Sequence, residues 1–333
     1  MKNPFIYNSP VLDTDFFNRE QIVKNILTEV FIGKTQGDVW ITGERKVGKT
    51  SLLRFLFSSY PNLVPSEIKI YGSRKEFKPV VALANVQYCR NEKEFFNELW
   101  QSAKNILDSK IFVPDAPEIN FINAVKNAVE NKIYIVFLID EFDAYLETLA
   151  IENAATIRNF INKFNSLLTN FLSYNHKAFG CVFTSNHDFI ELNQKYELQI
   201  TGSGIIAQTF DLEWFNKDYA SLLANSYLKL NKIVFTSKEL DLVYKYTHGY
   251  PYFLQRIYYL AYEYKLSKKG ADVDELVIKE LAEAEFEQTV KFWTGQNLPK
   301  RTYDKLYAFL STVGKGIFDA ALKILIEYSK NKF

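Results

Sequence analysis

The chain has 333 residues, a formal net charge of +1, and is 47% hydrophobic and 24% charged. That length holds two or three domains, and the near-neutral balance gives the whole chain no case for nucleic acid or a membrane surface as partner. Two cysteines, Cys89 and Cys181, each in an apolar run, exclude a disulfide framework and a cysteine-rich metal centre and suit a reducing cytoplasm.

The opening "MKNPFIYNSPVLD" lacks the apolar centre of a signal peptide. No run of about 18 apolar residues occurs anywhere, so no membrane span is expected. Apolar residues at helical spacing predict a helix over 19–31. "VWIT" (39–42) predicts a buried strand that stops at Gly43, and "KTSLLRFLFSSY" (49–60) a helix. A β-branched run predicts a second strand over 77–86. Amphipathic helices follow over 91–108 and 121–132, with a proline-containing loop between them. "IYIVFLID" (133–140) is a near-continuous apolar run, as a central parallel strand covered on both faces requires. A helix over 155–172 and strands over 178–186 and 204–212 complete an alternating pattern, which implies an α/β fold around a parallel sheet of about five strands. From about residue 213 five helical segments follow without a convincing strand. The domain reading is therefore a P-loop domain over 1–213, a helical lid over 214–295 and a C-terminal helical segment over 296–333. High aromatic content, 16%, lies in the periodic segments and reads as bulky core packing.

"GERKVGKT" (43–50) follows a strand and opens a helix, the context a phosphate-binding P-loop needs. At average residue frequencies the glycine–lysine–threonine pattern arises by chance in roughly one chain in a hundred. Gly43 and Gly48 permit close backbone approach, and the amides of Val47, Gly48, Lys49, Thr50 and Ser51 open onto the helix N-terminus. Lys49 is expected to reach the β- and γ-phosphates and Thr50 to coordinate Mg²⁺. Arg45 and Lys46 are expected to face solvent. Asp140 ends the apolar strand, where ligands sit in α/β sheets, and is the second expected Mg²⁺ residue. Glu141 follows it and is placed to deprotonate a water for in-line attack on the γ-phosphate. Asp143 is expected at the surface or as a helix cap. No "NKxD" segment for guanine occurs, so ATP is favoured over GTP.

With these parts in place, the chain resembles the STAND ATPases, AAA+-related signal-transduction ATPases, and within them the archaeal and bacterial AAA-like groups. The likeness rests on the P-loop, on "FLIDEFD" (137–143), on the opening "NPFIYNSPVLDTDFFNRE" (3–20) and on "THGYPYFLQRI" (247–257). The opening is similar to a segment before the P-loop, often FxGRE, that contacts adenine. Phe17 and Arg19 are the residues it implies, and Asn18 stands where glycine is usual. "GYP" (249–251) is similar to the family's GxP element, whose proline, here Pro251, packs near the adenine. The same letters also suit a plain helix stop and start. The resemblance implies a polar residue at the end of the 178–186 strand that touches the γ-phosphate or the attacking water. Asn186 is the choice and Ser185 the alternative, with helix capping the competing role. The strand over 77–86 is taken as the additional strand that separates the P-loop strand from the acidic strand in this ATPase division. No arginine lies between Arg158 and Arg256, so the segment that carries an arginine finger in ring motors has none. That favours a switch over a ring motor.

The function so implied is an ATP-binding, ATP-hydrolysing, Mg²⁺-dependent switch of the STAND kind. It couples nucleotide state to lid movement and acts through a partner protein, without a membrane. The alternative is an AAA+ DNA-associated ATPase such as an initiator or transposition regulator, or a nucleotide-binding scaffold with little turnover. Nucleic acid stays open as a partner although net charge does not argue for it, and the oligomeric state is left open.

Overall fold

The computed structural model describes residues 3–10, 16, 19–34, 36–104, 113–171, 176–196, 208–229, 233–296, 298–312 and 318–332. The chain divides into two compact units, one of residues 12–43 and 49–211, the other of residues 1–11, 44–48 and 212–333.

The first is the sheet unit. Its elements in chain order are α1 (Glu20–Leu27), continued by one π-helical turn at Thr28–Ile32, β1 (Val39–Thr42), α2 (Lys49–Leu63), β2 (Ile68–Lys69), β3 (Glu76–Asn85), α3 (Glu92–Ala103), α4 (Pro117–Glu130), β4 (Ile133–Asp140), α5 (Phe142–Glu152), α6 (Ala154–Asn170), β5 (Phe179–Ser185), α7 (Phe189–Lys195) and β6 (Gln208–Asp211). They build a six-stranded sheet in the order β2-β3-β4-β5-β1-β6. All neighbouring pairs are parallel except β2 with β3. The apolar runs behave as read: β1 and β5 are buried throughout, and β4 from its second residue. Some of these helices start at side-chain caps, Asn91 for α3, Asn153 for α6, and an Asp188–Glu191 capping box for α7.

Two expectations change here. In space the strand between β1 and β4 is β5, while the 77–86 segment, as β3, lies on the far side of β4. Chain order and spatial order differ because the chain, on leaving β1, passes over two strand positions before β3, and β4 and β5 later fill them. The segment after Asp140 also forms a helix, α5, which the expected elements above do not include. Its buried Phe142, Tyr145, Leu146 and Leu149 fall at helical spacing, but Ala144, Ala150 and the exposed Ile151 spread apolar residues over its other faces.

The rings account for the composition. Phe95 packs on Tyr145 at 4.8 Å and edge-on to Phe160 at 4.9 Å, and Phe142 meets Phe183 at 4.7 Å and Trp40 at 5.6 Å. Each aromatic so buried contributes about 1.5–3 kcal/mol in apolar burial. Together they lock α3, α5 and α6 to the sheet.

The second unit is helical: α8 (Lys217–Leu228), α9 (Ser237–Thr247), α10 (Pro251–Ser267), α11 (Glu275–Gly295), α12 (Lys300–Thr312) and α13 (Asp319–Lys332). No strand occurs among its described residues. Phe5 packs among Tyr227, Phe235 and Tyr258 and so ties the N-terminal segment to it. Lys265 is buried with Glu239 at 2.6 Å, and the same carboxylate accepts from Val273 N at 2.7 Å.

"HGYP" joins α9 to α10. His248 and Gly249 are left-handed, φ 50° and 78°, and Pro251 takes the first helical position. Gly249 O accepts from Phe215 N at 2.9 Å, and a Cβ on Gly249 would lie 1.8 Å from Phe215 O. Backbone cannot yield there as a flexible side chain would. Gly249→Ala is therefore expected to cost about 2–4 kcal/mol, combining left-handed strain with local overpacking. Urea unfolding checks it. A midpoint equal to wild type would show that the turn relaxes freely.

Candidate active site

Parallel pairing brings the C-terminal ends of five strands level. Asn85 pairs with Asp140, and Thr42 pairs with both Ser185 and Asp211. The residues that follow these strands therefore emerge side by side, and most of the expected site residues are among them.

Lys49 and Thr50 open α2 directly after the loop that leaves β1. Gly43 and Gly48 have φ of 158° and 111°. Gly48 lies in the left-handed range that favours glycine. Lys49 is 6% exposed; its Nζ donates to Gly43 O at 2.8 Å and to Asn186 Oδ1 at 3.0 Å. The ammonium is thus held over the strand ends. Thr50 Oγ1 donates to Asp140 Oδ2 at 2.8 Å. Asp140 is buried, and its other oxygen accepts from Thr184 Oγ1 at 2.6 Å. Asn85 Nδ2 reaches Asp140 Oδ2 at 3.5 Å. Ser51 is the third residue of α2 and half-buried.

Glu141 sits at the turn from β4 into α5 with φ 58° and ψ 43°, and its side chain does not cap the helix. A non-glycine residue held there stores about 1–3 kcal/mol of strain. The cause is visible on both sides: Asp140 is fixed by strand pairing, and Phe142 is fully buried among rings. Glu141 N donates to Thr184 Oγ1 at 3.1 Å. Thr184 thus bridges the acidic strand end and the turn, a role that the sequence reading did not give it.

Asn186 follows β5 directly. Capping of α7 falls to Asp188, so Asn186 is not the cap. Ser185 is turned to His187, its Oγ donating to His187 O at 2.5 Å. Asp143, expected at the surface or as a cap, is instead 2% exposed. Its Oδ2 accepts from Asn186 N at 2.8 Å and Asn186 Nδ2 at 3.1 Å. Burial pushes its carboxyl up, against the opposing pull of the Asn186 amide, Lys49 and His187. Burial overrides the surface reading because α5 carries Asp143 inward with Phe142.

Residues 44–48, the tip of the loop, belong to the helical unit. Glu44 is fully buried and accepts from Arg301 Nε at 3.0 Å, Lys305 Nζ at 2.9 Å and Trp214 Nε1 at 3.1 Å. Arg45 N donates to Thr302 Oγ1 at 3.1 Å and its guanidinium to Gln296 at 2.9 Å, so Arg45 does not simply face solvent. Lys46 is exposed as expected. Val47 is buried and donates to Glu44 O. Among the other expected nucleotide residues, Arg19 precedes α1 and its carbonyl accepts from Val23 N. Pro251 is buried at the start of α10. Phe17 lies outside the described residues. Arg256 is paired with Glu285 at 2.8 Å and lies over the Tyr7 ring.

The donor set suits Mg²⁺. Thr50 and Asp140 offer hard oxygen atoms side by side. Among the described residues no three His, Cys, Asp or Glu side chains group into a protein cage. Mg²⁺ needs none, because it is usually held by one or two protein oxygens plus phosphates and water.

No protein-family model matches the chain, and no curated protein matches it in sequence. Solved structures do resemble it. The Aeropyrum pernix ORC2 protein, in its ADPNP–ADP complexes, is 11% identical with a TM-score of 0.60, covering 98% of this chain and 97% of that one. A Walker-type ATPase of Pyrococcus abyssi is 14% identical, TM-score 0.59, covering 98% and 93%. Drosophila ORC bound to DNA is 13% identical, TM-score 0.58, covering 96% of this chain and 75% of that one. At such identities the likeness shows the fold alone: an α/β architecture built on a mainly parallel sheet, with a helical C-terminal part.

Proposed function

We propose that this chain binds ATP with Mg²⁺ and hydrolyses it, and that it does so as a DNA-associated ATPase of the AAA+ type. The observation that carries the first part is the Thr50–Asp140 pair at 2.8 Å beside Lys49 and Asn186, all at level strand ends. Thr50 and Asp140 would hold Mg²⁺, which when bound neutralises phosphate charge. Lys49 and the amides that open α2 bind the phosphates. Glu141 accepts a proton from the attacking water as its oxygen bonds to the γ-phosphorus. The bond from that phosphorus to the β,γ-bridging oxygen breaks, and ADP leaves with the electron pair. Asn186 orients the same water.

The DNA association rests on similarity to ORC structures, one of them bound to DNA. A net charge of +1 requires any DNA contact to come from a local basic surface. The STAND-type switch, working through a partner protein, is the second reading, favoured by the missing arginine between Arg158 and Arg256. One titration separates them. Duplex DNA binding measured with ATP should weaken steeply between 50 and 200 mM salt, with a log–log slope of about −0.9 per phosphate contacted. ATP turnover without any salt-sensitive DNA binding would return the function to the partner-protein switch. Absence of Mg²⁺-dependent turnover would remove the ATPase reading itself.

A further inference from the structure

The Asn186 amide has two edges, and the structure uses them differently. Its donor edge faces Asp143: both Asn186 N and Asn186 Nδ2 donate to the one oxygen Oδ2. That oxygen already accepts from the Asn186 backbone amide, so the side-chain amide cannot be reversed without setting oxygen against oxygen. Its acceptor edge therefore faces the other way, where Oδ1 receives Lys49 Nζ at 3.0 Å. Asp143 itself is held by the first turn of α5, immediately after the buried Phe142. Its second oxygen, Oδ1, is buried without a hydrogen-bond partner. An orphaned buried acceptor is destabilising, so this carboxylate is a costly group to keep for the two Asn186 donors alone.

We propose that Asp143 is a positioning residue for the hydrolytic reaction: it locks Asn186 with its carbonyl oxygen toward the phosphate site, so that Asn186 serves as an acceptor from the attacking water and not as a donor to the γ-phosphate. The inference rests on the ATPase reading above. In the state described, Lys49 occupies that acceptor. When phosphate draws the ammonium away, Asn186 Oδ1 is left aimed and unpaired, available to one O–H of the water whose other proton goes to Glu141. A water held at two acceptors presents its lone pair to the phosphorus, which is the orientation the reaction needs.

The test is Asp143→Asn, with ATP affinity and turnover measured separately on the full chain. Its neutral amide no longer forces the Asn186 orientation. Turnover should fall about 10- to 100-fold, the scale seen when the partner of a directly acting ligand is lost. Affinity for a non-hydrolysable ATP analogue should stay within about threefold. In an Asn186→Ala background the same change should do nothing further, since coupled residues are not additive. Full additivity there, or wild-type turnover in Asp143→Asn, overturns the proposal. If Asp143→Asn does not fold, the exchange Asp143→Asn with Asn186→Asp should restore folding and part of the turnover, because it again sets an amide against a carboxylate. An exchange that folds but has no turnover overturns the proposal as well. Wild-type chain that hydrolyses no ATP sinks the ATPase reading and this inference with it, an outcome distinct from active wild type and unaffected variant.

Discussion

Glu141→Gln is expected to bind ATP as tightly as wild type and to turn it over about 10²–10⁴-fold more slowly, the usual loss when a general base is removed. The amide keeps the shape of the carboxylate and cannot take the water's proton. Backbone geometry should survive, because the left-handed turn at Glu141 is imposed by Asp140 and Phe142 on either side and its side chain does not cap α5. Single-turnover kinetics with a bound-nucleotide control separates the two quantities. Turnover near wild type would require another base. Asp143 is a poor candidate, since it is buried and both Asn186 donors hold it through Oδ2.

Lys49→Ala is expected to lose ATP binding by at least about 30-fold. Truncating one partner of a buried, hydrogen-bonded charge pair costs about 2–5 kcal/mol or more. Here the ammonium is already desolvated and held beside Asn186 and Gly43 O, so little reorganisation separates it from a phosphate oxygen. Calorimetry with ATP and Mg²⁺ measures it. An unchanged affinity would show that these strand ends are not the phosphate site. Thermal unfolding without nucleotide should be run beside it, because removal of Lys49 leaves Asn186 Oδ1 with one donor fewer.

Much of this site is legible along the chain because its first parts are local. The spacing from Gly43 to Thr50 sets the loop, and the apolar run of β4 ending in Asp140 sets the acidic strand end. Both signals depend on near neighbours. What escapes a linear reading is what two distant segments make together. Asp143 reads as an ordinary polar residue until α5 turns it onto Asn186, 43 positions later. Thr184 gains meaning only through Asp140 and Glu141. Glu44 is an unremarked loop residue until Arg301 and Lys305, more than 250 positions on, meet its carboxylate. The α5 helix is obscured for a different reason: its buried Phe142, Tyr145, Leu146 and Leu149 have helical spacing, but apolar Ala144, Ala150 and Ile151 off that stripe blur the contrast. The identity of the strand between β1 and β4 is a question of spatial order, which alternation of strands and helices leaves open.

Gln36 carries a consequence for behaviour in concentrated solution. Its side-chain amide donates to Lys69 O at 3.1 Å, and its carbonyl accepts from Tyr71 N at 2.8 Å. One buried glutamine thereby occupies two main-chain groups at the β2 margin of the sheet, much as an adjoining strand does. A margin with free main-chain groups invites another chain to zip onto it. Here that pairing must first displace a side chain already bonded at both ends, so β2 is a poor seed for fibrils or runaway oligomers.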